Sequence, residues 1–218
     1  QMDTKFSINI LHILLFFLSL YLLITAIYNE FILTNKLYLN SLASQLTIDQ
    51  INNIIIFKEK FGWITYIVNI LVFLIKINFT TFCLLIGLFF AGINISYKKI
   101  LKVVLITEFI FIINTGIRLI LIHYNDFSTL EEIQHFMPFS LYSLFSPKAV
   151  PEWLTYPLSI LNVAELLYWF LLAFGLNLLL KTSYLKSFKI VLTSYGTGLL
   201  LWVVLIIFIQ VYFFDPTL

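Results

Sequence analysis

The sequence predicts an all-α fold, a polytopic integral membrane bundle of about five transmembrane helices. Two compositional observations and one positional one predict it. Hydrophobic residues make up 61% of the 218, with a mean hydropathy of +1.00. Charged residues make up 11%, against about 25% in ordinary soluble domains. Apolar stretches long enough to cross a bilayer, about 20 residues each, recur along the chain. Lipid-exposed backbone must satisfy its own hydrogen bonds, which selects helices or closed barrels. The alternating ~10-residue segments of a barrel are absent.

Composition also excludes several function classes. A net charge of +2 gives no basic footprint for nucleic acid. A single cysteine, Cys83, allows neither an internal disulfide framework nor a multi-cysteine metal site. Usage rich in Lys, Ile, Phe and Asn fits an AT-rich bacterial genome.

The first span is expected over residues 8–28. Its apolar core exceeds the 7–15 residues of a signal-peptide h-region, so it reads as an uncleaved anchor. Residues 61–97 are apolar almost throughout but hold Lys76 and Asn78, and are too few for two spans and a turn. One span is expected there, over 77–95, preceded by an apolar helical extension, 62–75. The remaining spans are expected over 101–122, 157–180 and 190–214, so the chain reads as one membrane domain.

Charge asymmetry orients this layout. With the N-terminus in the cytoplasm, Lys5, Lys98, Lys99, Lys102, Lys181, Lys186 and Lys189 lie inside, with Asp3 as the single acid. Glu30, Asp49, Glu59, Asp126, Glu131, Glu132, Glu152 and Asp215 lie outside, with lysines at 36, 58, 60, 76 and 148. Short cytoplasmic loops carry the excess of Lys and Arg. The N-terminus is therefore expected inside and the C-terminus outside.

Two outer segments result. In residues 29–75, Thr47 and Gln50 match a capping box, and Ile48, Ile51 and Ile55 share one helical face. An amphipathic helix on the outer leaflet is expected, followed by Trp63 and Tyr66. In residues 123–156, a helix is expected from Ser128, with Glu131 and Glu132 in its first turn. Phe139, Tyr142, Phe145 and Trp153 follow among prolines. These aromatics read as an interfacial belt or as a docking surface for a partner.

Three ionisable groups fall within spans: Glu108, Arg118 and Glu165. Intramembrane charges face the bundle interior or a partner. Arg118 and Glu165 are expected at compatible depths, roughly 6 and 12 Å by helical rise, which allows an ion pair. Asn114 sits one turn from Arg118. Asn162, Glu165 and Trp169 are expected on one face. Glu108 needs either another partner, with Lys102 the nearest choice, or a protonated state. The cluster reads as structural, as a contact to a partner subunit, or as a pathway.

No nucleophile, base and orienter can be assembled, so no catalytic residue is expected. His123 with Asp126, and Glu132 with His135, have a ligand-like spacing, but the second Glu-x-x-His of a di-iron bundle is missing. Neither metal nor cofactor is expected. Gly87 with Ala91, and Ser194-Tyr-Gly-Thr-Gly198, read as small-residue packing positions.

One further pattern emerges in the second half. Pro138-Phe-Ser-Leu-Tyr-Ser-Leu-Phe145, Pro151-Glu-Trp-Leu154, Leu158-Ser-Ile-Leu-Asn162, Glu165-Leu-Leu-Tyr-Trp169, Leu172-Ala-Phe-Gly-Leu176 and Lys186-Ser-Phe-Lys189 follow in that order. The chain resembles the Yip1-domain membrane proteins, particularly the short bacterial ones, over roughly residues 60–214. The resemblance implies a five-span bundle with a cytoplasmic N-terminus, and no established enzyme activity. It implies association with ABC exporters that work with a membrane-fusion adaptor. The expectation is a non-enzymatic accessory subunit of the bacterial inner membrane, bound to the lipid bilayer and to other membrane subunits. A transporter in its own right and an intramembrane enzyme are the alternatives.

Overall fold

The computed structural model describes residues 9–214. Asp3, Lys5 and Asp215, and the start of the first expected span at Ile8, lie outside the described residues. The chain folds as α1 (Ile10–Ile27), α2 (Asn35–Leu42), α3 (Ile48–Phe61), α4 (Trp63–Phe90), α5 (Tyr97–Thr107) and α6 (Phe109–Tyr124). Then come α7 (Leu130–His135), α8 (Glu152–Ile160), α9 (Val163–Leu180), α10 (Tyr184–Val191) and α11 (Thr197–Phe214). No strand forms among the described residues, beyond a single antiparallel bridge between Ser140 and Asn162.

Five helical stretches are long and apolar enough to cross a membrane: Ile10–Ile32, Trp63–Phe90, Tyr97–Tyr124, Val163–Leu180 and Tyr184–Tyr212. The chain is a multi-pass helical membrane protein. The long connections (33–62 and 125–162) share one face of the bundle, and the short ones (91–96 and 181–183) share the other, because successive spans alternate in direction.

Several boundaries differ from the sequence reading. The second span is the whole of α4, 28 residues, and not 77–95. The apolar run 62–75 is its first half, and a turn with Gly92 at φ 72° follows it. Lys76 therefore sits mid-helix rather than in a connection. The third span extends beyond 101–122 and bends at Glu108, between α5 and α6. There the Thr107 hydroxyl donates back to the Val103 and Val104 carbonyls at 3.1 and 2.8 Å, a contact that bends helices. The expected 157–180 span is two helices: α8 stops at Ile160 and α9 starts at Val163. The last span begins before 190, through α10 and a π-turn at Leu192–Gly196.

The core lies between α4, α5, α9 and the α10–α11 region, around Leu84, Leu88, Val104, Leu105, Leu172 and Val191. α1 leans on its flank. Phe17 stacks on Phe73 with centroids 6.4 Å apart, and Asn69 donates to Thr25 Oγ1 at 2.9 Å. Gly87 lets α4 meet the last span closely, since a Cβ there would strike Ser194. The expected small-residue packing is thus realised at Gly87 and Ser194, whereas Ala91 caps α4 and is exposed.

The long-connection face is built by local capping. Thr47 and Gln50 form the expected box at the start of α3, which buries Ile51 and Ile55 while Ile48 stays exposed. Thr129 and Glu132 form a second box at α7, one residue beyond the expected Ser128. Leu37, Ile122 and Ile133 close a small satellite core, and Leu130 N–H donates to Ser41 Oγ at 2.7 Å, tying α7 to α2.

Candidate intramembrane site

Lys76, halfway along α4, points its Nζ to Glu108 Oε2 at 2.9 Å. Its ammonium also lies 3.2 Å from the Phe111 ring centroid and 5.5 Å from that of Tyr168. Glu108 is fully buried, while a third of the Lys76 side chain remains exposed. Two charges at the middle of a bilayer are tolerated only in such company, where each partner and the ring faces offset lost hydration. Beside the pair, Glu108 Oε1, the Tyr168 hydroxyl and Thr80 Oγ1 are buried close together, with no well-formed hydrogen bond among the described residues.

Glu165 lies in the first turn of α9 and is 7% exposed. Its Oε1 accepts from Trp169 Nε1 and from the Tyr195 hydroxyl, each at 2.8 Å. Asn162 does not share a helical face with it. It caps the helix, accepting from Glu165 N–H at 2.8 Å while its own amide donates to the Ser159 carbonyl at 2.9 Å. The π-turn at Leu192–Gly196 carries Tyr195, which is 3% exposed. Such turns frequently mark functional positions.

Of these groups, Lys76, Thr80, Phe111, Asn162, Glu165 and Tyr195 line one cavity of about 330 Å³. Val72, Ile75, Lys76, Phe79 and Thr80 of α4 form one wall. Tyr156, Ser159 and Ile160 of α8, with Asn162, Glu165, Tyr195, Leu199 and Trp202, form the other, and Phe111 contributes from α6. Val72 and Ile75 are 57% and 55% exposed, so the mouth opens on the lipid-facing flank of α4. Trp202 Nε1 donates to the Tyr156 hydroxyl at 2.8 Å. This bond ties α8 to α11. The break between α8 and α9 sets Asn162 in the cavity wall.

The expected Arg118–Glu165 pair does not form. Arg118 donates through Nε to the Phe136 carbonyl at 2.9 Å and through Nη2 to the Ile133 carbonyl at 3.0 Å. It thus fastens α6 to the end of α7, where a cation meets free carbonyls. Glu108 pairs with Lys76 and not with Lys102, and Lys76 lies within a span rather than on the outer side. Asn114 is half-buried and joins neither group.

The expected aromatic surface is mostly present. Trp63, Phe139, Phe145 and Trp153 are 58%, 52%, 52% and 44% exposed, and Tyr66 is half-buried. Tyr142 does not belong to it. At 1% exposure it is buried in its own connection, stacked against His135 with centroids 6.0 Å apart. Phe139 has a left-handed φ of 63°. This turns its carbonyl to accept from Val163 N–H at 3.0 Å, pinning the connection to the start of α9. The ligand-like spacings gather no cluster of three metal-binding side chains among the described residues.

Sequence reasoning missed Lys76 and the tyrosines around it. Their signal was a lysine inside an apolar run whose neighbours supply no turn. Comparison with protein-family models, with curated proteins and with solved structures gives no match for this chain.

Proposed function

We propose that this chain is a non-enzymatic accessory subunit of the bacterial inner membrane, Yip1-like, with its N-terminus in the cytoplasm. It serves a larger membrane complex, an exporter of the ABC type with its adaptor. The observation that carries this reading is the rigid display of apolar side chains on a connection outside the spans. Phe139, Leu144, Phe145 and Trp153 stay exposed on a segment held by the Phe139–Val163 and Leu141–Leu161 backbone hydrogen bonds. Pre-ordered aromatic groups lose little entropy on docking and are common anchors of interfaces. Trp63 and Tyr66, at the start of α4, add a second apolar area next to the same face.

Purification in mild detergent tests the proposal. A nucleotide-binding subunit and a periplasmic adaptor are expected to co-purify in fixed ratio. The combined variant Phe139→Ser, Phe145→Ser, Trp153→Ser is expected to release them while remaining monodisperse. A wild-type chain that purifies alone from its native membrane would overturn the reading.

A second reading, a transporter in its own right, is favoured by the α8–α9 break beside the cavity, since interrupted helices build substrate sites in transporters. Uptake by liposomes holding this chain alone would select it.

A further inference from the structure

We infer that the cavity between α4, α8 and α11 binds a lipophilic organic cation, an ammonium group on an apolar or aromatic body that enters from the lipid. The inference goes beyond the accessory role and holds whichever complex the chain serves.

Charge is the first argument. Lys76 and Glu165 line the cavity, and Glu108 is the fully buried partner of Lys76. One basic side chain thus answers two acidic ones. Lys76 is committed to Glu108 at 2.9 Å. Glu165 has neutral donors only, and both of them, Trp169 and Tyr195, use the same oxygen. Its other oxygen makes no hydrogen bond among the described residues, on a side chain that lines the cavity. A buried carboxylate without a cation is costly in a medium of low dielectric constant. A ligand cation balances the three charges, whereas an anion would add a third negative group.

The walls give the second argument. Phe79, Phe111, Tyr156, Tyr195 and Trp202 line the space. Ring faces attract ammonium groups, and quaternary ammonium ligands are characteristically held in aromatic cages. The rings are also fixed in place. Trp202 is hydrogen-bonded to Tyr156 and lies 5.5 Å from Phe79 between centroids. Tyr195 packs edge-on against Tyr168 at 5.6 Å.

Size and access give the third. The volume of about 330 Å³ is at the lower end of small-molecule sites, which run from about 300 to 1,000 Å³. The mouth beside Val72 and Ile75 faces lipid, so the ligand partitions into the bilayer before it binds.

The probe pair is trimethylphenylammonium and tert-butylbenzene, which share a shape and differ in charge. Binding is measured by equilibrium dialysis to the full chain in lipid nanodiscs, with empty nanodiscs subtracted. The cation is expected to bind at least tenfold more tightly than its uncharged isostere, and benzenesulfonate is expected not to compete. Glu165→Gln keeps an acceptor for Tyr195 and Trp169 and removes the charge. It is expected to weaken the cation at least tenfold and leave tert-butylbenzene unchanged. Should that variant not remain monodisperse, Trp202→Leu takes its place, with at least a threefold loss for the cation and a smaller one for the isostere. Equal binding of cation and isostere, tighter binding of the sulfonate, or no saturable binding of the cation would overturn the inference.

Discussion

At the scale of the residue, Lys76 and Glu108 dominate, and they are not equivalent. Glu108 is wholly enclosed, whereas a third of the Lys76 side chain remains exposed. Removing Lys76 leaves a carboxylate with nowhere to go. Removing the Glu108 charge leaves an ammonium that can reach outward on its flexible stem. Lys76→Met is therefore expected to destabilise by about 3 kcal/mol, and Glu108→Gln by clearly less. Thermal unfolding in one detergent checks both, and equal losses would contradict this asymmetry. Phe139 offers a separate test. Its φ of 63° suits glycine, and a bulky residue there carries about 1–2 kcal/mol of strain. Phe139→Gly should keep the Val163 hydrogen bond and slow, not speed, amide exchange at Val163. Of these residues, Glu108 and Glu165 were legible as buried charges from the sequence. Their partners were not, because helical rise fixes depth along one helix and says nothing about which neighbour stands alongside.

At the scale of the element, capping rules read well and helix breaks read poorly. The Thr47–Gln50 box was legible because its chemistry is local, and the Thr129–Glu132 box was missed by one residue. The α8–α9 break was hidden because Leu158-Ser-Ile-Leu-Asn162 is apolar enough to pass as continuous helix. What interrupts it is Asn162, whose side chain caps α9 in place of a further turn. Pro157 sits inside α8, where the preceding turn must already do without one N–H. The α7 box also responds to pH. The backbone N–H groups of Ser128 and Thr129 hold the Glu132 carboxyl below its ordinary pKa of 4.5. A folded-state pKa below the unfolded one contributes stability above 4.5 and loses it as pH falls through the lowered value. Protection of the α7 amides, corrected for intrinsic exchange rates, is expected to be unchanged from pH 7 to 5 and to drop below pH 4. Glu132→Gln should abolish that drop.

At the scale of the whole molecule, five crossings and the sorting of charge support each other. Lys98, Lys99, Lys102, Lys181, Lys186 and Lys189 gather at the short connections, which carry no acid. Glu30, Asp49, Glu59, Asp126, Glu131, Glu132 and Glu152 gather at the long ones. Taking Lys76 out of the outer count strengthens the contrast that the sequence reading used. In a Cys83→Ala background, Asn94→Cys and Ser146→Cys are expected to react with an impermeant thiol reagent from opposite sides of the membrane. Reaction from the same side would break the layout. The class of fold was legible because composition alone demands it. The cavity was not, since it depends on how five helices rotate about their axes.

The bond between α4 and α5–α6 also bears on how the chain is made. Each of two consecutive spans carries a formal charge near its middle, and either one threaded singly into lipid meets a penalty of about 2.5–3.5 kcal/mol. Released from the insertion channel as a hairpin, they enter with those charges cancelled. Nascent chains arrested after Asn125 should accordingly show a larger inserted fraction than chains arrested after Ile95, and Lys76→Leu should erase the difference.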